Sequence, residues 1–332
     1  MKILLINEWY NPVVQNMISY FTQKIGSDFE WTGKRWYRKD FLPMDHYEES
    51  SLIPEPVALD KLQQEYYDYV IYSDASLMIY LSSHFKKTKR ILIDSMDSFV
   101  IPEVYLKNCE FYFKSQYQSQ DNKFFIKQQS GEIKLESSSK IHPFCLTPSF
   151  KVSQVESLKL DYPKEHDVFF NGSAHPQERV KIINTIKKNK DIDFIGGLYN
   201  RHDLKFNNVV PSSIKYEKMN MSSYIFHCKK SKINLNMIGN GFNCFRQFEI
   251  LCLSGFLLTP KTPNKFAFIE PEDRKHCVFY DSPRQAVEMI KFYLKNEDSR
   301  KNISTQGNIY YNKYLHPSKI VDKILLTITK ND

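Results

Sequence analysis

The sequence predicts an α/β protein of two parallel-sheet domains, and three observations carry that prediction. Short, continuous apolar runs (MKILLI at Met1–Ile6, YVIY at Tyr69–Tyr72, RILI at Arg90–Ile93) alternate with stretches whose apolar residues recur at helical spacing. Strand, helix and strand in that order is the βαβ layering of a parallel sheet buried on both faces. The rhythm fades near the middle of the chain and then restarts, dividing 332 residues into two units of ordinary domain size.

In the first half, Val13–Ile25 and Leu77–Phe85 read as helices and Glu110–Lys114 (EFYFK) as a further strand. Trp31–Pro56 is aromatic, charged and proline-bearing, which suits an irregular insertion. Gln118–Lys140 is polar and fits a hairpin or a loop equally. His142–Pro148 (HPFCLTP) and the stretch up to Lys164 read as an interdomain connection. The second rhythm opens with the strand Asp167–Asn171, the helix Pro176–Lys188 and the strand Ile192–Ile195, which ends in Gly196-Gly197. Helix Ser222–Lys229, strand Ser231–Met237, helix Arg246–Cys252 and strands Phe256–Thr259 and Val278–Tyr280 follow. Helices Pro283–Leu294 and Ser299–Tyr311 close it. The expected organisation is a Rossmann-like domain over 1–155 and a second over 156–315, facing each other across a cleft. A closing helix over 316–332 would pack back on the first domain.

Composition removes several function classes. With 42% hydrophobic and 25% charged residues the chain is not disordered as a whole. No apolar run approaches the ~18–20 residues that span a bilayer. The first run is too short for a signal-peptide core and meets Asn7-Glu8 at once. Six cysteines without a CxxC pair read as reduced thiols, and the expected location is the cytoplasm. There are only 10 glycines, and neither GxGxxG nor GxxxxGK[ST] occurs. A phosphorylated ligand must therefore be held by something other than a glycine-rich loop.

The stretch Ile233–Pro260 (INLNMIGNGFNCFRQFEILCLSGFLLTP) offers such a device. A strand exits into a loop bearing Gly239 and Gly241, and a helix begins near Arg246. Free N–H groups and the positive dipole end of that helix can hold phosphate. Arg246 adds a planar, permanently charged donor fork. Glu249, three residues on and on the same face, offers a carboxylate to ribose hydroxyls. Gly255 suits a left-handed cap at the helix end. The plain alternative for Arg246 and Glu249 is a surface ion pair.

On these residues the chain resembles a known family. RQFEILCLSGFLLTP, the acidic loop Glu270–Asp273, the strand Val278–Asp281, the helix Pro283–Leu294 and the turn His316-Pro317 are similar to the C-terminal half of bacterial GT-B glycosyltransferases. The similarity is greatest to the CgeB-like, glycosyltransferase-group-1-like proteins, and it extends to DVFFNGSAHPQER at residues 167–179. It covers residues about 165 to 325. The family's late His-Thr is His-Pro here.

The resemblance implies a GT-B fold and glycosyl transfer from a nucleotide-activated sugar to a glycan, glycolipid or protein, as in polysaccharide biosynthesis. Arg246 would bind the diphosphate and Glu249 the ribose. Gly172 and Ser173 would lie near the phosphates, with Asn243 to Phe245 forming the loop before the helix. Glu270 or Asp273 would contact sugar hydroxyls; the alternative for both is a solvated acidic loop.

In the first half, Asp94 and Asp97 (ILIDSMD) fall at the C-terminal end of a buried strand, where open α/β sheets place ligands. Either could serve as general base on an acceptor hydroxyl, Asp97 ahead of Asp94. The competing role is a cap by Asp94 or Ser95. Lys114, ending the next strand, could face donor phosphates or be a plain surface charge. No two histidines or cysteines have zinc-like spacing, so no metal site is expected.

Net charge of +8 and 24 Phe, 21 Tyr and 3 Trp raise a rival reading, a nucleic-acid-binding protein. Most of the rings lie in apolar runs and no nucleic-acid motif occurs, so no nucleic-acid partner is expected. A catalytically inactive nucleotide-sugar-binding module is the third reading. The basic, aromatic run Trp31–Phe41 suits peripheral contact with an anionic membrane surface or acceptor.

Overall fold

A computed structural model describes residues 1–7, 11–33, 66–85, 87–118, 123–157, 162–200, 210–263, 265 and 269–330. Of the segment at Trp31–Pro56 expected to be an irregular insertion, only the first three residues fall among these, and they belong to a parallel sheet strand paired with Leu5–Asn7. The membrane-contact reading of Trp31–Phe41 therefore lies almost wholly outside the described residues, and Trp31 itself is fully buried.

The first half opens with β1 (Ile3–Asn7), α1 (Pro12–Ile25) and β2 (Phe29–Gly33). Asn11 caps α1 by accepting the Val13 amide at 3.1 Å, and Pro12 occupies the first helical position, where its missing N–H is no loss. Next come β3 (Tyr69–Tyr72), α2 (Ala75–Tyr80), β4 (Lys89–Asp94), β5 (Ile101–Pro102), α3 (Glu103–Lys107) and β6 (Phe111–Lys114). β7 (Lys123–Lys127), β8 (Ile133–Ser137) and β9 (Ile141–Pro143) complete the half. Six strands pair in parallel in the order β2-β1-β3-β4-β6-β9.

The polar stretch after Gln118 resolves as a hairpin: β7 and β8 pair antiparallel, and β7 also pairs with β5. His142 and Pro143 belong to the sheet, in register with Phe113 and Lys114, rather than to the interdomain connection. An edge strand tolerates proline because one side of its backbone faces no partner.

The second half contains α4 (Val152–Ser157), β10 (His166–Ser173), α5 (Glu178–Lys187), β11 (Phe194–Tyr199), α6 (Met221–Lys230) and β12 (Ser231–Leu235). α7 (Phe245–Cys252), β13 (Leu257–Pro260), β14 (Val278–Tyr280), α8 (Pro283–Lys295), α9 (Glu297–Tyr310) and α10 (Pro317–Lys330) follow. Its sheet is parallel throughout, in the order β11-β10-β12-β13-β14. Strand order reverses at β10, and such a switch point opens a crevice at the strands' C-terminal ends.

Two glycine expectations change. Gly196 and Gly197 lie inside β11 instead of ending it; an added Cβ on Gly196 (φ +92) would stand 2.1 Å from the Phe170 carbonyl oxygen. The left-handed residue after α7 is Ser254 (φ 56), not Gly255. Gly255 is required by crowding, since a Cβ there would sit 2.8 Å from Asn234 Nδ2.

α10 returns to the first half and lies on α1, with Lys24 paired to Asp322 at 2.8 Å. Its Ile320, Val321, Ile324 and Ile328 are fully buried in one cluster with Val13, Val14, Met17 and Phe21. Each such side chain stabilises the arrangement by about 1.5–3 kcal/mol relative to exposure. The same cluster continues into Phe248, Leu251 and Tyr311, so it spans both halves.

Candidate active site

A cavity of about 640 Å³ opens at the C-terminal end of β10. Asn171, Gly172 and Ser173 form one wall, Phe245, Arg246 and Glu249 of α7 a second, and Lys218, Met219 and Tyr224 a third. Ser149, from the segment that leaves the first half, completes the lining.

Arg246 projects from the first turn of α7 over the Phe170 ring, its Cζ 4.2 Å from the centroid. Its Nη2 donates to the Asn171 carbonyl at 2.5 Å. Its Nε is buried and has no acceptor among the described residues. Gly172 makes this approach possible: a Cβ would stand 2.7 Å from the Phe170 ring and 3.2 Å from Arg246 Nη2. Burial pulls the Arg246 guanidinium down, but the Tyr224 and Glu249 oxygens outweigh it and hold it above its ordinary value.

A second guanidinium, unanticipated from the sequence, stands beside the first. Arg179 in α5 is 6% exposed and, among the described residues, donates only to neutral oxygens: Nε to Ile238 O (2.8 Å), Nη2 to Met237 O (3.2 Å) and Nη1 to Ser173 O (3.1 Å) and Oγ (3.3 Å). Burial, then the Arg246 charge, pushes it down to about 10. Two buried guanidiniums face a single carboxylate, Glu249, among the cavity's described lining residues, so the local potential stays positive and an anion between them would lower it.

The start of α7 is built to leave donors free. Cys244 is the N-cap, and its own amide donates to Gln247 Oε1 at 3.0 Å. The Gln247 amide in turn bonds Cys244 O at 3.2 Å. The Phe245 and Arg246 amides, at the first and second helical positions, have no intrahelical acceptor, and both residues line the cavity.

Glu249 does not pair with Arg246. It is 5% exposed, and its Oε1 accepts from the Ser149 hydroxyl and, at 3.3 Å, from the Ser149 amide. The carboxylate therefore reaches across to the other half of the chain at the cavity floor. Burial, followed by the Glu249 charge, drives the neighbouring Tyr224 phenol well above its usual range.

Gly172, Ser173, Phe245, Arg246 and Glu249 thus converge on one cavity; the other sequence candidates do not. Asn243 is buried in the seam between the halves, its Nδ2 donating to Ser115 O (2.9 Å) and Lys265 O (3.0 Å). Gln116, which drew no attention in the sequence, accepts the Phe242 and Asn243 amides at 3.0 and 3.1 Å and donates to Asn243 O at 2.9 Å.

Lys114 does not face the cavity. It is 1% exposed and pairs with its register partner Asp94 at 2.8 Å. Asp94 Oδ2 also accepts the Tyr112 hydroxyl, while its Oδ1 accepts the Met96 amide at 2.8 Å. Adjacent parallel strands ending at the same level bring the two opposite charges together, so both are occupied in holding the loop that carries Asp97.

Asp97 is exposed at the interface between the halves: a Cβ on Gly241 would lie 3.0 Å from its Oδ1. Its charge also reaches Cys244 at the cavity edge.

Glu270 and Asp273 lie off the cavity. Their loop must travel from the C-terminal end of β13 to the N-terminal end of β14, because the strands are parallel. Its acidic half therefore arrives at the opposite edge of the sheet. There Asp273 Oδ1 accepts the Phe279 amide at 2.9 Å, and Tyr310 of α9 donates to Ile269 O at 2.5 Å.

Among the described residues no three His, Cys, Asp or Glu side chains gather as a metal site. Glu249 is the one carboxylate among the cavity's described lining residues, and Ser149 holds it. The Asp-x-Asp triplet Asp191-Ile192-Asp193 precedes β11, at the far end of the strand from the cavity, where Asp193 pairs with His166 at 2.9 Å.

Residues 178–325 match the model of the family Glyco_trans_1_2, described as glycosyl transferase-like. The whole chain also aligns with an α-glucosyltransferase solved with UDP and a 13-mer DNA containing a modified base, over 99% of each chain at 10% identity and a TM-score of 0.64. The chain has the GT-B fold. Two further GT-B neighbours are HepE of Anabaena in complex with UDP-glucose (8% identity, 99% and 100% coverage, TM-score 0.55) and a T4 phage β-glucosyltransferase with UDP and Mn2+ (12% identity, 99% of each chain, TM-score 0.54). No curated protein matches the chain in sequence. Nothing in these comparisons supports the expectation that nucleic acid is absent from the partners, since one GT-B neighbour was solved with DNA. Among the described residues of this GT-B chain no helix is long and apolar enough to cross a membrane.

Proposed function

We propose that this GT-B protein transfers a sugar from a nucleotide-activated donor to a hydroxyl of a glycan, glycolipid or protein. The observation that carries the reading is the pair of buried guanidiniums, Arg246 in the first turn of α7 and Arg179 of α5, with no carboxylate paired to Arg179 among the described residues. A diphosphate is the anion whose size, charge and acceptor number suit that pair and the two amides beside it. GT-B neighbours solved with UDP or UDP-glucose make uridine the first nucleotide to try.

In this reading Glu249, preset by Ser149, accepts the ribose hydroxyls. The bond from the anomeric carbon to the diphosphate breaks, and its electron pair leaves with the nucleotide. Arg246, the α7 amides and the field of Arg179 stabilise that charge without a divalent cation. The acceptor oxygen bonds to the anomeric carbon, and its proton passes to Asp97 at the cleft.

Calorimetric titration and thermal shift with UDP-glucose and other nucleotide sugars test the donor site. Arg246→Ala should weaken binding about tenfold or more, as loss of a charged hydrogen-bonding partner does. Unchanged affinity would remove the donor from this cavity. Asp97→Asn should lower turnover while leaving donor affinity in place, and turnover should survive EDTA. The acceptor panel includes DNA with hydroxymethylated bases; transfer to it alone would replace the proposed acceptors.

A further inference from the structure

The hairpin β7–β8 has its polarity reversed on one strand. In β8, Ile133 and Leu135 are 57% and 52% exposed, more than the alternating Lys134 and Glu136, which are partly covered and ion-paired to each other. A solvated sheet face normally shows the opposite alternation. The partner strand behaves ordinarily on its inner side, where Phe124 and Ile126 are buried.

The outward apolar residues join into one surface. Phe125 lies directly across from Leu135, and Lys127 across from Ile133. The Phe99 ring packs on Phe125 at 5.4 Å between centroids, and Phe99 is 40% exposed. Met96, three residues earlier, is 70% exposed and precedes Asp97 directly. Leu135, Phe125 and Phe99 thus form one patch, and the chain leads back from Phe99 to Met96 and Asp97 within three residues. Lys123 and Lys127, both exposed, stand on the same face of β7, with Glu132 the acidic residue at the turn.

We infer that this face is a docking surface for an anionic lipid bilayer. Aliphatic and phenylalanine side chains suit the acyl boundary, and flanking lysines reach the headgroup phosphates while their stems stay against apolar surface. Nucleic acid would call for denser positive charge than two lysines beside a glutamate. The inference rests on the proposed function only for its consequence, that the bilayer presents an acceptor to Asp97.

Sedimentation with vesicles of phosphatidylcholine containing about one-third phosphatidylglycerol tests it. The full chain should partition onto these vesicles and not onto pure phosphatidylcholine. Lys123→Glu with Lys127→Glu should reduce partitioning more than tenfold, since one lysine near an anionic surface contributes about fivefold. Ile133→Glu with Leu135→Glu should abolish it. Nucleotide-induced thermal shift, measured on the same variants, reports separately on the donor site and on folding. Equal binding to neutral vesicles, or binding that survives both double variants, would overturn the inference. So would tighter binding of an oligonucleotide on this face, or self-association that Ile133→Glu removes.

Discussion

Arg179 shows how one side chain can set the character of a site while bonding only to backbone and a hydroxyl. Its charge is disfavoured by folding, because burial and Arg246 lower its pKa to about 10 from the ordinary arginine range. For a base shifted this way the cost to stability is fully present below about pH 10 and diminishes as pH rises through that value. A bound diphosphate acts in the opposite sense, favouring the charged form. Nucleotide affinity should therefore be level from about pH 7 to 9 and fall above about 10, followed by titration calorimetry. A decline complete by pH 8.5 would assign the site's charge to another group. Arg179 escaped notice in the sequence because Gln-Glu-Arg at the start of a helix reads as a solvated first turn. The available signal was its place six residues after the strand-ending Ser173. Arg246, Glu249, Gly172 and Ser173 were legible because strand and helix ends in parallel sheets point to one crevice. Lys114 and Asp94 were misread because register, which sequence does not display, sets them side by side.

At the level of elements, the loop before α7 depends on Gln116, which follows β6 by two residues. Its amide satisfies two N–H groups and one carbonyl of Phe242 and Asn243 in a buried seam. Gln116→Ala strands those groups, at a cost of about 1–3 kcal/mol. Hydrogen exchange of residues 242–245 should quicken and donor affinity should weaken, although Gln116 does not line the cavity. Gln116→Glu, which keeps the acceptor, should fall between the two. Exchange unchanged in Gln116→Ala would mean that the loop is held by Asn243 and its own turn. The apolar strands of both sheets were legible as continuous runs. β2 and β9 were not: β2 (FEWTG) mixes charged, polar and glycine residues with its two rings, and the three residues of β9 include a proline and are buried only at Ile141.

In the whole molecule each half has an apolar cluster of its own, but a third is shared. The shared cluster takes residues from β1 and α1, from α7 and from α10, so part of each half's interior is closed only against the other. Scanning calorimetry should therefore record a single cooperative transition, moved upward by a bound nucleotide. Residues 1–155 alone would expose the face of α1 that α10 covers, and should be recovered only as an aggregating species. Two resolved transitions would show that each half is self-sufficient.

The return of α10 has a mechanical consequence. The chain passes between the halves twice, once before α4 and once after α9, and the two passages touch. Glu156 Oε1 lies 3.0 Å from His316 Nε2, with the Tyr20 hydroxyl 3.2 Å from the same nitrogen. A plate attached by two adjacent straps can swing like a door and resists twisting. Any separation of the halves that kept the Glu156–His316 contact would be a rotation about a line through it, and would have to break the Ser149–Glu249 bond and the Gln116 bonds to its loop.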